Sequence, residues 1–437
     1  MTIFASDFKA GLPYWWDDAD WPELDARPST HTDLLIIGAG FTGQSAAIAA
    51  HDAGARVTVI EAGHLGKGAS TRNGGMTGAH PRLGWNDLNQ KYGSDVADGL
   101  FGEAAKALQF VVNLIKTENI DCDLQATGRI QLAWTPAHHK NQANIAASVN
   151  RFDPDSVELI STDGLRDHIN TPCYHGGLYF PGHYALHPWK YHNGLLQAAL
   201  HRNIPIVADC PAQSIAKTAT GFDVTTPMGT IHAGKVLLAT NGYNQAPFNW
   251  FAKRVFALPS FIIATEPLSP NIISDIAPGR RMMVETRARH SYFRVSPDGT
   301  RILYGGRASM VHLDPVKAGQ RLHQTMCEVW PQLKDVQITH SWSGNTGYTF
   351  SHMPNVGVQD GIHYAMGFSG SGTVMAPYLG MKAAYQALGD PRGDTWYSKT
   401  TLQRHWVHPT NRPHFLQAAN AWYRAYVDRK ENWQARK

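Results

Sequence analysis

Residues 32–61 constrain this chain more than any other stretch. A continuous apolar run at 32–37 (TDLLII) has the composition of a strand buried on both faces of a parallel sheet. GAGFTG follows over 38–43, then an Ala-rich helical segment closed by Gly54, then a second β-branched strand at 56–60 (RVTVI) that ends on Glu61. This is a strand–helix–strand unit with G-x-G-x-x-G at its first joint, the layout of a dinucleotide site. Gly38 permits the tight turn, Gly40 lets backbone approach a pyrophosphate, and Gly43 lets the helix pack on the strand. Phe41 and Thr42 open that helix, whose N-terminus offers N–H groups and about half a positive charge to the phosphates. Glu61, with Ala62 beside it, is placed to accept the ribose hydroxyls; a carboxylate there repels a 2′-phosphate.

The chain is 437 residues long, more than one simple core holds. Hydrophobic residues are 43%, with 13 Trp, 16 Tyr and 16 Phe, which excludes a mainly disordered protein. The 39 Lys+Arg against 35 Asp+Glu leave +4, too small and too evenly spread to argue for nucleic acid or an anionic membrane surface. Cys122, Cys173, Cys210 and Cys327 have no C-x-x-C spacing, so neither a disulfide framework nor a metal site is read from them. The N-terminus lacks the layout of a signal peptide, and no apolar run approaches the roughly 18 residues that cross a bilayer. A cytoplasmic protein is expected.

Residues 1–30, rich in Trp, Pro and Asp, read as an irregular arm laid across the surface. Helices are expected over 94–119, 191–202 and 373–387, with an amphipathic one near 413–433. Short alternating strands fill 207–243, a strand covers 261–268 (FIIATEPL), and 292–307 form a hairpin turning at Pro297-Asp298-Gly299. Parallel-type units alternating with antiparallel hairpins imply a nucleotide-binding domain interleaved with a sheet-based substrate domain.

Residues 66–75 (GKGASTRNGG) decide between dinucleotides. An NAD site needs no second Gly-rich loop here, whereas an isoalloxazine beyond the pyrophosphate needs backbone against its edge. GAGFTG, Glu61, GASTRNGG, LLATNGY at 237–243 and GFSGSGTVMAPYLG at 367–380 together resemble the D-amino-acid-oxidase-like FAD-dependent oxidoreductases. Tyr14, Trp15, IIATEPL and YFRVSPDG are similar to the branch of gamma-glutamylputrescine oxidoreductase, sarcosine oxidase and glycine oxidase. The likeness covers about residues 13–390.

The resemblance implies an α/β chain: a Rossmann-like, three-layer FAD-binding domain of the glutathione-reductase type, interleaved with an α+β substrate domain on an antiparallel sheet. The expected segments are the arm and FAD domain at 1–88, substrate domain at 89–154, FAD domain at 155–245, substrate domain at 246–344, FAD domain at 345–395 and a helical extension at 396–437. By the same resemblance Gly38, Gly40, Gly43 and Glu61 hold the ADP half, while Ser70, Thr71, Arg72, Asn73, Gly74, Gly75 and Met76 lie beside pyrophosphate and flavin. Thr240, Asn241 and Gly242, and then Gly367, Gly370, Ser371, Gly372 and Thr373, complete the cofactor set. The helix opening at Thr373 would aim its N-terminus at the flavin edge that becomes negative on reduction. Asn73 stands where some relatives attach flavin through His, and no Cys lies between Trp342 and Ser371, so the FAD is expected to be non-covalent.

The implied reaction is oxidation of the C–N bond of a small amine or amino acid: hydride passes to flavin N5 and the imine is hydrolysed. The amine must first lose its proton, which for a free ammonium costs about 4 kcal/mol at neutral pH. A positively biased site lowers that cost and attracts an anionic group. Arg287, Arg289, His290, Arg294 and Arg307 cluster on neighbouring strands. Arg294 is the expected bidentate clamp, with Arg289, Tyr292, Arg307 and Trp342 around the substrate. His80 and His352 are candidate proton acceptors, and Tyr348 a candidate wall or catalytic group near His352. His187 reads as a structural turn. Oxygen or another electron acceptor is required; a dehydrogenase serving a quinone or partner protein, a non-catalytic flavin-binding subunit and an NAD-binding protein remain alternatives, and the oligomeric state stays open.

Overall fold

The computed structural model describes all residues except 1, 18, 25, 79, 411 and 437. Among the described residues 17 strands, numbered along the chain, form two sheets. The eight-stranded sheet contains β2 (His31–Ile37), β3 (Val57–Ile60), β7 (Ile206–Val207), β8 (Ser214–Lys217), β9 (Phe222–Thr226), β10 (Gly229–Leu238), β16 (Asn355–Gln359) and β17 (Ile362–Met366). Its path is β16-β17-β10-β2-β3-β7, with β9 and β8 added on β10. From β17 to β7 the pairing is parallel, and β2 is wholly apolar and buried from Leu34 to Ile37, as a strand covered on both faces must be.

The helix Phe41–Asp52 lies on this sheet, buried from Phe41 to Ala50. Its burial has two causes in sequence. A Cβ at Gly43 would fall 1.8 Å from the Gly38 carbonyl oxygen, so only Gly lets helix and turn touch. A Cβ at Gly380 would fall 2.2 Å from the Thr42 carbonyl oxygen, so Gly also sets the crossing with the helix Gly372–Ala387. The helix Ser94–Thr117 packs into the same core through Leu100, Ala107, Val111 and Ile115.

The second sheet has nine strands in the order β1-β15-β11-β14-β13-β12-β4-β6-β5. Its members are β1 (Phe4–Ala10), β4 (Arg129–Leu132), β5 (Glu158–Ile160), β6 (Gly177–Phe180), β11 (Val255–Thr265), β12 (Met282–Glu285), β13 (Ser291–Val295), β14 (Ile302–Gly306) and β15 (Ile338–Thr349). The hairpin β13–β14 turns through Pro297-Asp298-Gly299, with Asp298 accepting from the Thr300 N–H and Thr300 hydroxyl.

The sheets divide the chain differently from the segments expected. The helix Ser94–Thr117 of segment 89–154 joins the nucleotide layer, whereas β5 and β6 of segment 155–245 join the nine-stranded sheet. Local pattern identifies an amphipathic helix or a short strand but does not say which layer its apolar face will cover. The N-terminal arm also departs from expectation. Phe4–Ala10 pairs in parallel with β15 at the sheet edge, and Trp15 is 1% exposed. The tail forms one helical run, Phe415–Trp422, a π-helical turn at Tyr423–Val427 and Asp428–Gln434. No helix among the described residues is long and apolar enough to cross a membrane.

Candidate active site

A groove of about 530 Å³ follows the C-terminal ends of β2, β3 and β10, where open α/β sheets take their ligands. Gly38, Ala39, Gly40, Phe41 and Thr42 line its middle. Gly38 has φ +109°, a conformation that favours Gly, and allows the turn from β2 into the helix. At one end stands Glu61, with Ala62. Its Oε2 accepts from Ala39 N–H at 2.9 Å and its Oε1 from Ala62 N–H at 2.9 Å, leaving lone pairs directed to the groove. Burial pushes this carboxyl up, against the backbone N–H groups of Ala39, Gly63 and Ala62 that hold it down. Thr240 and Asn241 line the groove from the end of β10. Gly242 instead packs on Gly347, and the Gly367 N–H donates to Asn241 Oδ1 at 2.9 Å.

The loop 69–75 separates this groove from a second cavity of about 250 Å³; Ala69, Asn73, Thr346, Gly370 and Thr373 line both. Its backbone is held from behind by indoles. Trp15 Nε1 donates to Asn73 O at 2.8 Å, Trp16 Nε1 to Thr71 Oγ1 at 3.1 Å, and Trp342 Nε1 to Arg72 O at 3.0 Å. Asn73 closes the loop on itself, donating to Ser70 O at 2.9 Å and accepting from Gly75 N–H at 2.8 Å. Ser70 Oγ accepts from Phe41 N–H at 3.0 Å, so the loop also touches the first helix N-terminus. Across the cavity, the helix Gly372–Ala387 begins without a side-chain cap, and Ser371 and Thr373 line the wall at its start.

The second cavity is floored by the nine-stranded sheet: Ser260 on β11, Tyr292 on β13, Val284 on β12 and Arg129 on β4. Tyr292 lies against Gly74 and shares a hydrogen bond of 2.9 Å with Ser260 Oγ. Four arginines line the cavity, Arg72, Arg82, Arg129 and Arg307, and no carboxylate does among the described residues, but the Arg72 guanidinium turns away to Lys67 O, Gly11 O and Ser343 O. The neighbouring Arg287 and Arg289 pair with Glu285 and Asp428. Arg307 Nη2 donates to Tyr348 Oη at 2.6 Å, and Arg82 Nη1 to Ser369 O at 3.2 Å. Arg129 Nη2 donates to His80 Nε2 at 2.5 Å, while His80 Nδ1–H donates to Pro81 O at 3.0 Å. Burial, then the charge of Arg129, drives His80 down to about 4; burial, then Arg307 and Arg82, drives His290 down to about 3. Both rings are neutral at physiological pH and add no charge to the arginines.

Around this groove with its carboxylate, the glycine turn at a helix start and the positive cavity beyond a pinned loop, the sequence over residues 33–386 matches the family model "FAD dependent oxidoreductase" (DAO). The chain belongs to this family. The protein is thus an FAD-dependent oxidoreductase of the DAO family. Curated relatives include the probable oxidoreductase OrdL of Rhizobium meliloti (strain 1021), 31% identical over 384 residues covering 86% of this chain and 88% of that protein. They also include the gamma-glutamylputrescine oxidoreductase of Escherichia coli (strain K12), 28% identical over 82% of this chain and 84% of that one. Among solved structures, glycine oxidase from Geobacillus kaustophilus superposes with a TM-score of 0.70 at 18% identity, over 86% of this chain and 100% of that one.

The site fits FAD on its own geometry. The groove adjoins the second cavity through shared walls, carries a carboxylate at its outer end and has helix N-termini in its middle and at its inner wall. Of the residues expected at the cofactor, Gly38, Gly40, Phe41, Thr42, Glu61, Ala62, Ser70, Asn73, Thr240, Asn241, Gly370, Gly372 and Thr373 line the groove. Arg72, Gly74, Met76 and Ser371 line the second cavity instead. Gly43, Thr71, Gly75, Gly242 and Gly367 lie behind the surface, shaping the backbone that does.

The expected substrate set is rearranged. Tyr292, Arg307, Tyr348 and His80 line the second cavity. Arg294 does not: it is 2% exposed, and its guanidinium donates to Gly75 O at 3.0 Å, Leu186 O at 2.9 Å and Val295 O at 3.0 Å. It shares a face with Tyr292 as strand periodicity requires, but Gly75 lies directly over it and seals it from the cavity. Arg289 is taken by Asp428 of the C-terminal helix, and Trp342 is buried behind Arg72. His352 is exposed at a left-handed turn (φ +58°), with its ring against the outer side of Tyr348, and does not line the cavity. His80 lines it with both nitrogens engaged, which leaves no free lone pair for a proton. Arg82 and Arg129 went unread in the sequence, because a lone Arg in a loop or short strand carries no periodic signal.

Proposed function

We propose that the protein oxidises the C–N bond of a small primary or secondary amine that bears an anionic group, with oxygen as electron acceptor and FAD held non-covalently. The observation that carries this reading is the set of arginines on the cavity beyond the flavin loop, Arg129 and Arg307 half-buried and Arg82 more exposed, with no carboxylate among the described lining residues. Buried charge without a counter-charge is costly, so such a set is retained where a ligand supplies the anion. Amine oxidation is supported by the relatives' own names, gamma-glutamylputrescine oxidoreductase and glycine oxidase.

When bound, FAD supplies the two-electron acceptor. The chain's residues would hold its ribose at Glu61, its phosphates at the start of the helix Phe41–Asp52, and its ring system between the loop 69–75 and Thr373. Arginines around the cavity bind the substrate anion and lower the pKa of the nearby ammonium, so the amine sheds its proton to solvent before oxidation. His80 and His290 stay neutral and accept no proton near neutral pH. Tyr292 and Tyr348 form apolar walls whose hydroxyls are already bonded to Ser260 and Arg307, which keeps them oriented. The test is an anaerobic amine panel scored by loss of the visible flavin band in the holoenzyme. Bleaching by anion-bearing amines supports the reading, and peroxide release on admitting oxygen supports an oxidase. Bleaching without rapid reoxidation assigns a different acceptor, and a flavin that no amine bleaches overturns the proposal.

A further inference from the structure

Arg82, Arg129 and Arg307, the three arginines whose guanidinium groups are not drawn off behind the flavin loop, are not one cluster. Arg82 and Arg307 both stand over the Tyr348 ring, with guanidinium carbons 5.4 and 5.1 Å from its centroid. Arg129 stands over a different ring, Phe180, at 4.8 Å, and is bonded to His80. Strand register explains the separation. Arg129 on β4 is aligned with Met282 on β12, Arg294 on β13 and Leu303 on β14. Arg307 lies beyond β14, three strand spacings away, roughly 14 Å across the sheet, and about 13 Å further along it. The electrostatic environments divide the same way: His80 and His183 feel Arg129, whereas His290 feels Arg307 and Arg82. Tyr292 and Val284 occupy the floor between.

Neither group is compensated. Arg129 is half-buried and its buried Nε has no partner, although its Nη2 is bonded to His80. His80, neutral and fixed by Pro81, accepts from the guanidinium and orients it without cancelling its charge. At the other end Arg307 donates to two neutral oxygens, Pro259 O and Tyr348 Oη, and Arg82 to Ser369 O. One anion satisfies one end and leaves the other without a counter-charge in a partly desolvated cavity. A polyamine chain without acidic groups would be repelled by both.

Resting on the reading of this cavity as the amine site, we propose that the substrate is a dianionic amine, with one carboxylate-sized anion held at Arg129 and a second at Arg82 and Arg307. His80 is then a positioning residue for the Arg129 subsite. The substrate class is that of iminodiacids and amines bearing two acidic arms, and the span between the two groups selects the arm length.

The test compares matched pairs on the holoenzyme: iminodiacetate and iminodipropionate against sarcosine and N-methyl-β-alanine, which keep the oxidisable carbon and lose one anion. The better diacid should exceed its monoanionic counterpart in kcat/KM by roughly a hundredfold. Arg129→Gln and Arg307→Gln should each remove most of that preference, lowering kcat/KM for the diacid far more than for its monoanionic counterpart. Because Arg129 packs on Phe180 and His80, Arg129→Lys and direct binding serve as the second line. Oxydiacetate, which has no nitrogen to oxidise, should shift the flavin spectrum at lower concentration than methoxyacetate, with Arg129→Lys keeping part of the difference. Equal kcat/KM and equal binding for mono- and dianions overturn this inference while leaving amine oxidation standing. A flavin reduced by neither class overturns the amine reading and this inference with it.

Discussion

The indole N–H of Trp15 donates to the carbonyl of Asn73 at 2.8 Å, joining a segment near the start of the chain to the loop between the two cavities. Trp15 is buried with Trp189, Ile262 and Trp342, so the bond is made inside a packed aromatic cluster and is shielded from water. Trp15→Phe keeps most of the packing and deletes the donor. It should lower stability by about 1 kcal/mol, read as a falling Tm, and should speed flavin loss on dialysis. An unchanged Tm with unchanged flavin retention would mean that the loop is held without this bond.

Glu61 receives two backbone N–H groups and faces the groove. Glu61→Gln leaves only one oxygen to serve Ala39 and Ala62 and removes the charge that a ribose hydroxyl would find. The expected loss is about 1.5–3 kcal/mol of FAD affinity, roughly 10- to 150-fold, measured by titrating apoprotein with FAD. FAD binding that is unaffected by the change would place the ribose elsewhere.

Arg294 is a support for the Gly75 carbonyl and lies outside the substrate cavity. Arg294→Lys cannot reproduce three carbonyl contacts, so Tm and flavin content should both fall, by about 2 kcal/mol in stability. KM for the amine, measured on the flavin-loaded fraction, should stay within about twofold. A tenfold rise in KM at full flavin loading would return Arg294 to the substrate site.

His80, His187 and His192 are each pushed down to about 4, chiefly by burial. Below pH 6.5 the unfolded chain protonates these rings while the folded one does not, so the unfolded state binds more protons. Stability should therefore be flat above about pH 7 and fall between pH 6.5 and 4. Each ring contributes a slope of at most ~1.4 kcal/mol per pH unit. Thermal unfolding across that range checks this, and replacing His187 by Asn, which can still cap the helix Pro188–His201, should flatten the decline. A Tm independent of pH in that window would contradict neutral, buried imidazoles.

The nucleotide half of the fold was legible because its signals are local. TDLLII, GAGFTG and RVTVI are contiguous, and each step of the unit depends on the residue types that occupy it. The substrate half was legible only as strands. Periodicity put Tyr292 and Arg294 on one face, correctly, but depth on that face is decided by what lies above. Gly75 covers Arg294, whereas the cavity opens over Tyr292. Arg129 and Arg307 are 178 positions apart in the chain, and only the sheet order β4-β12-β13-β14 places them at two ends of one cavity. The histidines misled for a similar reason: His352 is near Tyr348 in sequence and in space, yet on the outer side of its ring.

The parallel pairing of Phe4–Ala10 with Ile338–Thr349 has a consequence for biosynthesis. During translation the first strand emerges when its partner is more than 300 residues from being made. Trp15 and Trp16 likewise appear before the loop they clasp. The arm must wait, exposed and aromatic, while the ribosome adds nearly the whole chain, and its docking seals the sheet edge late. A nascent chain stalled before residue 338 would have every glycine of the dinucleotide turn and no sheet edge to receive its first strand.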